Sequence, residues 1–162
     1  MKHILSLFAL IFLFSCTTQK TESKYTKIEY QAGACFGSCP VFKLTISPYR
    51  TAILEAEHFN FSKDFSKGEF SNPREGTFNG VIREADYNKL ISLLNDLDVK
   101  NLKDHYGTKN ITDLSTSYLR INFTDGSSKN IEDYGKRGSE KLRKVYMFIE
   151  DLRHNQQWAK VK

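Results

Sequence analysis

No apolar run in this 162-residue chain is long enough to cross a bilayer as a helix. The longest, residues 4–14, falls well short of the roughly 20 residues that a hydrocarbon core of about 30 Å requires. Cysteine is scarce as well, with three residues at 16, 35 and 39. No second cysteine pair exists to complete a metal site, and His58, His105 and His154 are scattered along the chain. The nucleophile elbow, the phosphate loop, the HExxH helix and the calcium loop are all missing, and with them the reaction classes they announce. There is no internal repeat, no long low-complexity tract and no nucleic-acid recognition motif. No cofactor is expected.

What is present begins with an address. Met1, Lys2 and His3 form a short basic start, residues 4–14 are apolar except for Ser6, and Ser15 and Cys16 follow. That is the layout of a secretory signal. Leu13-Phe14-Ser15-Cys16 resembles a lipobox, in which Cys16 takes a lipid on its thiol and the peptide bond before it is cut. Phe14 is bulkier than the small residue usual at that place. The expected organisation is a signal over residues 1–15, a lipidated N-terminus and tether over residues 16–24, and one domain over residues 25–162. Anchoring on more than one acyl chain is what makes such an attachment stable, since each buried methylene contributes roughly 0.8 kcal/mol. Thr17 is not the aspartate that favours inner-membrane retention in well-studied sorting systems, so the expected address is the outer membrane of a bacterial envelope, and the expected partners are the membrane itself and an envelope protein or glycan.

Charge is uneven. Residues 136–162 hold eight basic and three acidic side chains, whereas the rest of the exported part is close to neutral. A solvated helix face accounts for such a run, and an anionic surface is its sharper reading. Nucleic acid is not an expected partner for an exported protein.

With Cys16 assigned to lipid, Cys35 and Cys39 remain, an even number in an oxidising compartment. A disulfide needs its Cα atoms roughly 4.4–6.8 Å apart, and four extended residues would span about 13 Å. The segment must therefore turn, and Gly37, Ser38 and Pro40 permit that. A structural staple is the favoured reading. Unpaired thiols or a thiol redox protein stand as alternatives, although the redox signature has two residues between its cysteines where this chain has three.

Period-two alternation predicts strands at Ile28/Tyr30/Ala32, at Phe42/Leu44/Ile46 and at Ala52/Leu54/Ala56. Residues 61–74 read as an irregular loop mixing phenylalanines with lysines, and Lys63, Phe65 and Lys67 form a candidate binding surface there. A strand over residues 76–83 follows. Tyr87, Leu90, Ile91, Leu94 and Leu97 recur at helical spacing over residues 84–97. Leu119, Ile121 and Phe123 alternate, Asp125-Gly126 signals a hairpin, and residues 129–134 pair back. A last helix starts after Ser139, with Leu142, Val145, Ile149 and Leu152 as its stripe. Trp158 is expected to hold the tail down. The order predicted is β-β-β-β-α-β-β-α: an α+β fold with a single antiparallel sheet and two helices on one face.

No catalytic constellation stands out. His105 and Asp113 are the pair that a small enzyme with a dispersed site would use, but the favoured reading of Asp113 in Ile111-Thr112-Asp113 is a turn residue that bonds backbone amides. The run of residues 33–42, with Cys-Phe-Gly-Ser-Cys-Pro at its centre, resembles domain of unknown function 6438, common in bacterial envelope lipoproteins. Ile111-Thr112-Asp113 and the Asp125-Gly126 hairpin resemble it too, whereas Pro48-Tyr49-Arg50 and the long loop over residues 61–74 depart from it. The resemblance implies an architecture and no activity. The expected function is that of a non-catalytic binding module tethered to a membrane.

Overall fold

The computed structural model describes residues 23–37, 39–58, 75–108 and 110–161. Residues 1–22, expected to hold the export signal, Cys16 and most of the tether, lie outside the described residues, as do Ser38 and residues 59–74 with Lys63, Phe65 and Lys67. The elements are β1 (Tyr25–Ala32), β2 (Val41–Ile46), β3 (Thr51–His58), β4 (Gly76–Val81), α1 (Glu84–Leu97), a 3-10 turn (Val99–Asn101), β5 (His105–Tyr106), β6 (Thr116–Phe123), β7 (Ser128–Tyr134), α2 (Glu140–Asn155) and β8 (Trp158–Lys160).

The strands form one sheet in the order β5-β7-β6-β1-β2-β3-β4-β8. From β1 to β4 it is a meander of antiparallel neighbours. The β6–β7 hairpin then returns to the other side of β1, with Tyr30 opposite Leu119. Alternation puts Ile28, Tyr30, Phe42, Leu44, Ile46, Leu54, Leu119 and Ile121 on one face, where each is almost wholly buried. The apolar stripes of α1 and α2 complete the same core. At roughly 25 cal/mol per Å² of apolar surface, this shared face is the main stabilising term. Ser139 caps α2 by accepting the Leu142 N–H at 3.2 Å. Its first turn is braced by Arg143 reaching back to Glu140 at 2.8 Å.

The α+β class stands, but the all-antiparallel sheet in the order β-β-β-β-α-β-β-α is incorrect. The sheet is mixed, because β5 runs parallel to β7, with His105 opposite Glu132 and Tyr106 opposite Asp133. Two elements are added, β5 after α1 and β8 after α2. Both are too short, at two and three residues, to leave a period in the sequence. Each is placed by tertiary contacts. Gly107, immediately after β5, has φ 79°, and a side chain on it would meet the Tyr134 carbonyl oxygen at 2.2 Å. β8 sits beside β4, and its Trp158 Nε1–H donates to the Arg153 carbonyl at 3.1 Å.

Candidate functional site

One end of the sheet carries the cysteine loop. After β1 the Gly33 N–H donates to the Thr116 carbonyl at 2.8 Å, and the chain then leaves the sheet. Cys35 and Cys39 are joined by a disulfide with their Cα atoms 5.7 Å apart. Between them Phe36 is 87% exposed, although its N–H is held by the Asp113 carbonyl at 3.3 Å. The adjoining segment is fixed by Tyr134. Its hydroxyl donates to the Ile111 carbonyl at 2.8 Å and accepts from the Leu114 N–H at 3.2 Å, while the Ile111 side chain stays 53% exposed.

Below this end lies a polar network inside the core. The Tyr30 hydroxyl donates to Glu150 and lies 3.1 Å from the Ser117 hydroxyl. Lys136 Nζ reaches the same Glu150 carboxylate at 2.6 Å. Burial, with the Glu150 charge added, holds the Tyr30 hydroxyl well above its ordinary pKa. Asp133 is fully buried and accepts the backbone N–H groups of Arg137 at 2.6 Å and Gly138 at 3.0 Å. Burial raises its pKa in spite of those two bonds. The two sets of bonds, Tyr30 and Lys136 to Glu150 and Asp133 to the backbone of Arg137 and Gly138, pin the β7–α2 connection, which is a structural task.

A second feature is a cleft of about 610 Å³ at the β5 edge, lined among others by Asp104, His105, Arg120, Lys129, Asn130 and Glu132. That volume is within the range of small-ligand pockets. The cleft exists because β5 is only two residues long and covers only the Glu132–Asp133 end of β7. Glu132 turns its N–H outward to the Asp104 carbonyl at 2.8 Å. By the two-residue period of a strand, Asn130 and Ser128 turn their backbone groups to the same side. Among the described residues no strand pairs with them there. Ion pairs border the cleft: Lys129–Asp104 at 2.7 Å, Lys100–Asp125 at 2.5 Å and Arg120–Glu29 at 2.9 Å. The Lys129 hydrogen bond and charge hold the Asp104 carboxyl below its ordinary pKa.

Of the residues singled out in the sequence, Cys35 and Cys39 are brought together. His105 and Asp113 have separate neighbours. His105 faces Glu132 across the β5–β7 ladder, with Nδ1 3.6 Å from the carboxylate. Asp113 occupies a left-handed turn at φ 73°, and its carboxylate takes the Thr112 hydroxyl at 3.1 Å. Lys63, Phe65 and Lys67 are outside the described residues, as is Cys16. The cleft was not legible in the sequence. Its walls come from residues 100–132, and no motif links them. Among the described residues no group of three or more His, Cys, Asp or Glu side chains could hold a metal ion. No helix among them is long and apolar enough to cross a membrane.

No curated protein matches this chain. The family model for a domain of unknown function, DUF6438, matches residues 26–153, a span running from the first residues of β1 to the last turn of α2, and the chain belongs to that family.

Proposed function

We propose that this chain is a lipid-anchored bacterial envelope protein whose domain acts as a binding module rather than an enzyme. The observation that carries the reading is the joined pair Cys35–Cys39, in a chain whose first residues and Leu13-Phe14-Ser15-Cys16 read as an export signal and lipobox. A disulfide that persists is a mark of an oxidising compartment. The loop it closes supports the binding role, since it holds Phe36 out in solvent, where an aromatic side chain does nothing for the core. Lys63, Phe65 and Lys67 are the further contact residues proposed from the sequence, and the outer membrane is the proposed address.

Fractionation tests the anchor. Cys16→Ser should leave the membrane fraction or fail to be processed, and a variant that is cleaved normally and stays membrane-bound refutes it. Crosslinking in intact cells tests the binding role. Phe36→Ala, Lys63→Ala and Phe65→Ala should weaken capture of a reproducible envelope partner with the fold intact, and the lysine effect should shrink as salt rises. A folded His105→Ala or Asp113→Ala protein that loses all function beside fully active loop variants would turn the assignment to an enzyme.

A further inference from the structure

We infer that the β5-edge cleft is a strand-addition site, which takes a short extended peptide bearing an acidic side chain as a continuation of β5 along β7. The inference narrows the binding-module reading above and rests on it, but it does not need the lipid anchor.

The argument starts from backbone bookkeeping. β7 is seven residues long, its whole length is paired with β6 on one side, and β5 covers only its last part on the other. The outward N–H and C=O groups of Ser128 and Asn130 therefore face the cleft in the spacing of a strand edge. An extended segment laid there satisfies those groups and gains main-chain affinity without any change in the fold. The cleft wraps the edge in the manner this geometry needs. Asn130, Glu132 and Arg120 lie on the open face of the sheet, while Lys129 and Ile131 belong to the core-facing side.

The occupant is argued from shape and charge. A second copy pairing its own β7 here does not fit. The uncovered stretch of β7 between the hairpin and β5 is residues 128–131, roughly 13 Å, and in any antiparallel self-pairing the β5 of each copy stands where the other copy's hairpin must pass. A slender single segment meets no such obstacle. A guest residue directly across from Lys129 points to the same side of the sheet, toward the Lys129 ammonium. Lys100 and Arg120 are held by Asp125 and Glu29, so Lys129 is the cation that this guest side chain meets. A carboxylate at that guest position exchanges with Asp104, whose side chain is 66% exposed and free to swing into water. The Lys129–Asp104 pair also explains why the open edge does not invite indiscriminate pairing. A charge set beside an exposed edge is a common guard against aggregation.

The test selects binders to the purified full-length protein from a phage-displayed library of random octapeptides. Enriched peptides should carry an acidic residue flanked by residues compatible with a strand. They should bind the Asn130→Pro variant at least about tenfold more weakly, because proline removes an outward N–H while leaving the β6 ladder untouched. Lys129→Gln should weaken the acidic peptides and spare neutral ones. Hydrogen exchange on the unaltered chain supplies a readout that survives any misfolding of the proline variant. The Ser128 and Asn130 amides should exchange quickly in the free protein and become protected with peptide, whereas Lys129 and Ile131 should be protected in both states. An empty selection, peptides that bind Asn130→Pro as well as the parent, or no new protection at 128 and 130 overturns the inference. A cellular partner captured equally by the parent and Asn130→Pro would refute this site and leave the binding-module reading in place, and the absence of any partner would remove both.

Discussion

Single residues decide several features that no pattern announces. Gly80 in β4 is one. A Cβ there would lie 2.8 Å from both the Gln157 carbonyl oxygen and a Trp158 ring carbon. β8 reaches its place only because that side chain is missing. Gly80→Ala should therefore displace the tail and lower stability by roughly 1–3 kcal/mol, the usual cost of overpacking. Trp158 is the chain's one tryptophan, so its fluorescence reports on β8 directly. A red-shifted emission in the folded variant is the expected result, and an unchanged spectrum with unchanged stability would show that the contact relaxes without loss. Tyr25 shows how tightly the first strand is seated. Burial, assisted by the Asp98 charge, pushes its hydroxyl up to about 12, while it stays bonded to Asn95 at 2.9 Å.

At the scale of elements, the cysteine loop and the α2 start are separable stabilising units. Closing the five-residue loop between Cys35 and Cys39 constrains the unfolded chain, so joint Cys35→Ser and Cys39→Ser changes should lower stability by roughly 2 kcal/mol. Urea unfolding checks this, and the loss should vanish when the parent is measured in reductant. Ser139→Ala leaves the Leu142 N–H without its acceptor and should cost about 1 kcal/mol. The two sites lie on different elements, so their effects should add within about 0.5 kcal/mol. Thiol titration of the folded protein should find neither Cys35 nor Cys39 free.

At the scale of the whole molecule, two carboxylates pull stability in opposite directions with pH. Burial works against ionisation of Glu29, but the hydrogen bonds and charges of Arg120 and Lys27 outweigh it and hold its pKa below the ordinary value. Its contribution is present above about pH 4.3, the unfolded value, and is lost as pH falls through the lower folded one. Asp133 behaves in reverse. Its folded pKa is raised by burial, so its contribution is full below about pH 3.9 and declines as pH rises through the folded value. Urea midpoints measured from pH 3 to 7 should show Glu29→Gln flattening the acid limb. Carbon-13 titration should place the Asp133 carboxyl above an ordinary aspartate, and a midpoint at or below the ordinary value would contradict the burial argument.

The sequence alone determined the strands and helices whose apolar residues repeat. Ile28, Tyr30 and Ala32 had to share a face, as did Leu90, Ile91 and Leu94, because a half-buried strand and an amphipathic helix permit only those spacings. It also supplied the turn residues around Cys35 and Cys39, the Ser139 cap and the Asp125-Gly126 hairpin, all of which are local chemistry. Only the tertiary structure decided the order of strands across the sheet, since pairing Tyr30 with Leu119 joins positions far apart in the chain and leaves no local mark. It alone decided the parallel β5, the tail strand β8 and the different partners of His105 and Asp113. The edge cleft belongs to the same class. It is made by where β5 stops, and a strand of two residues has no periodicity to read.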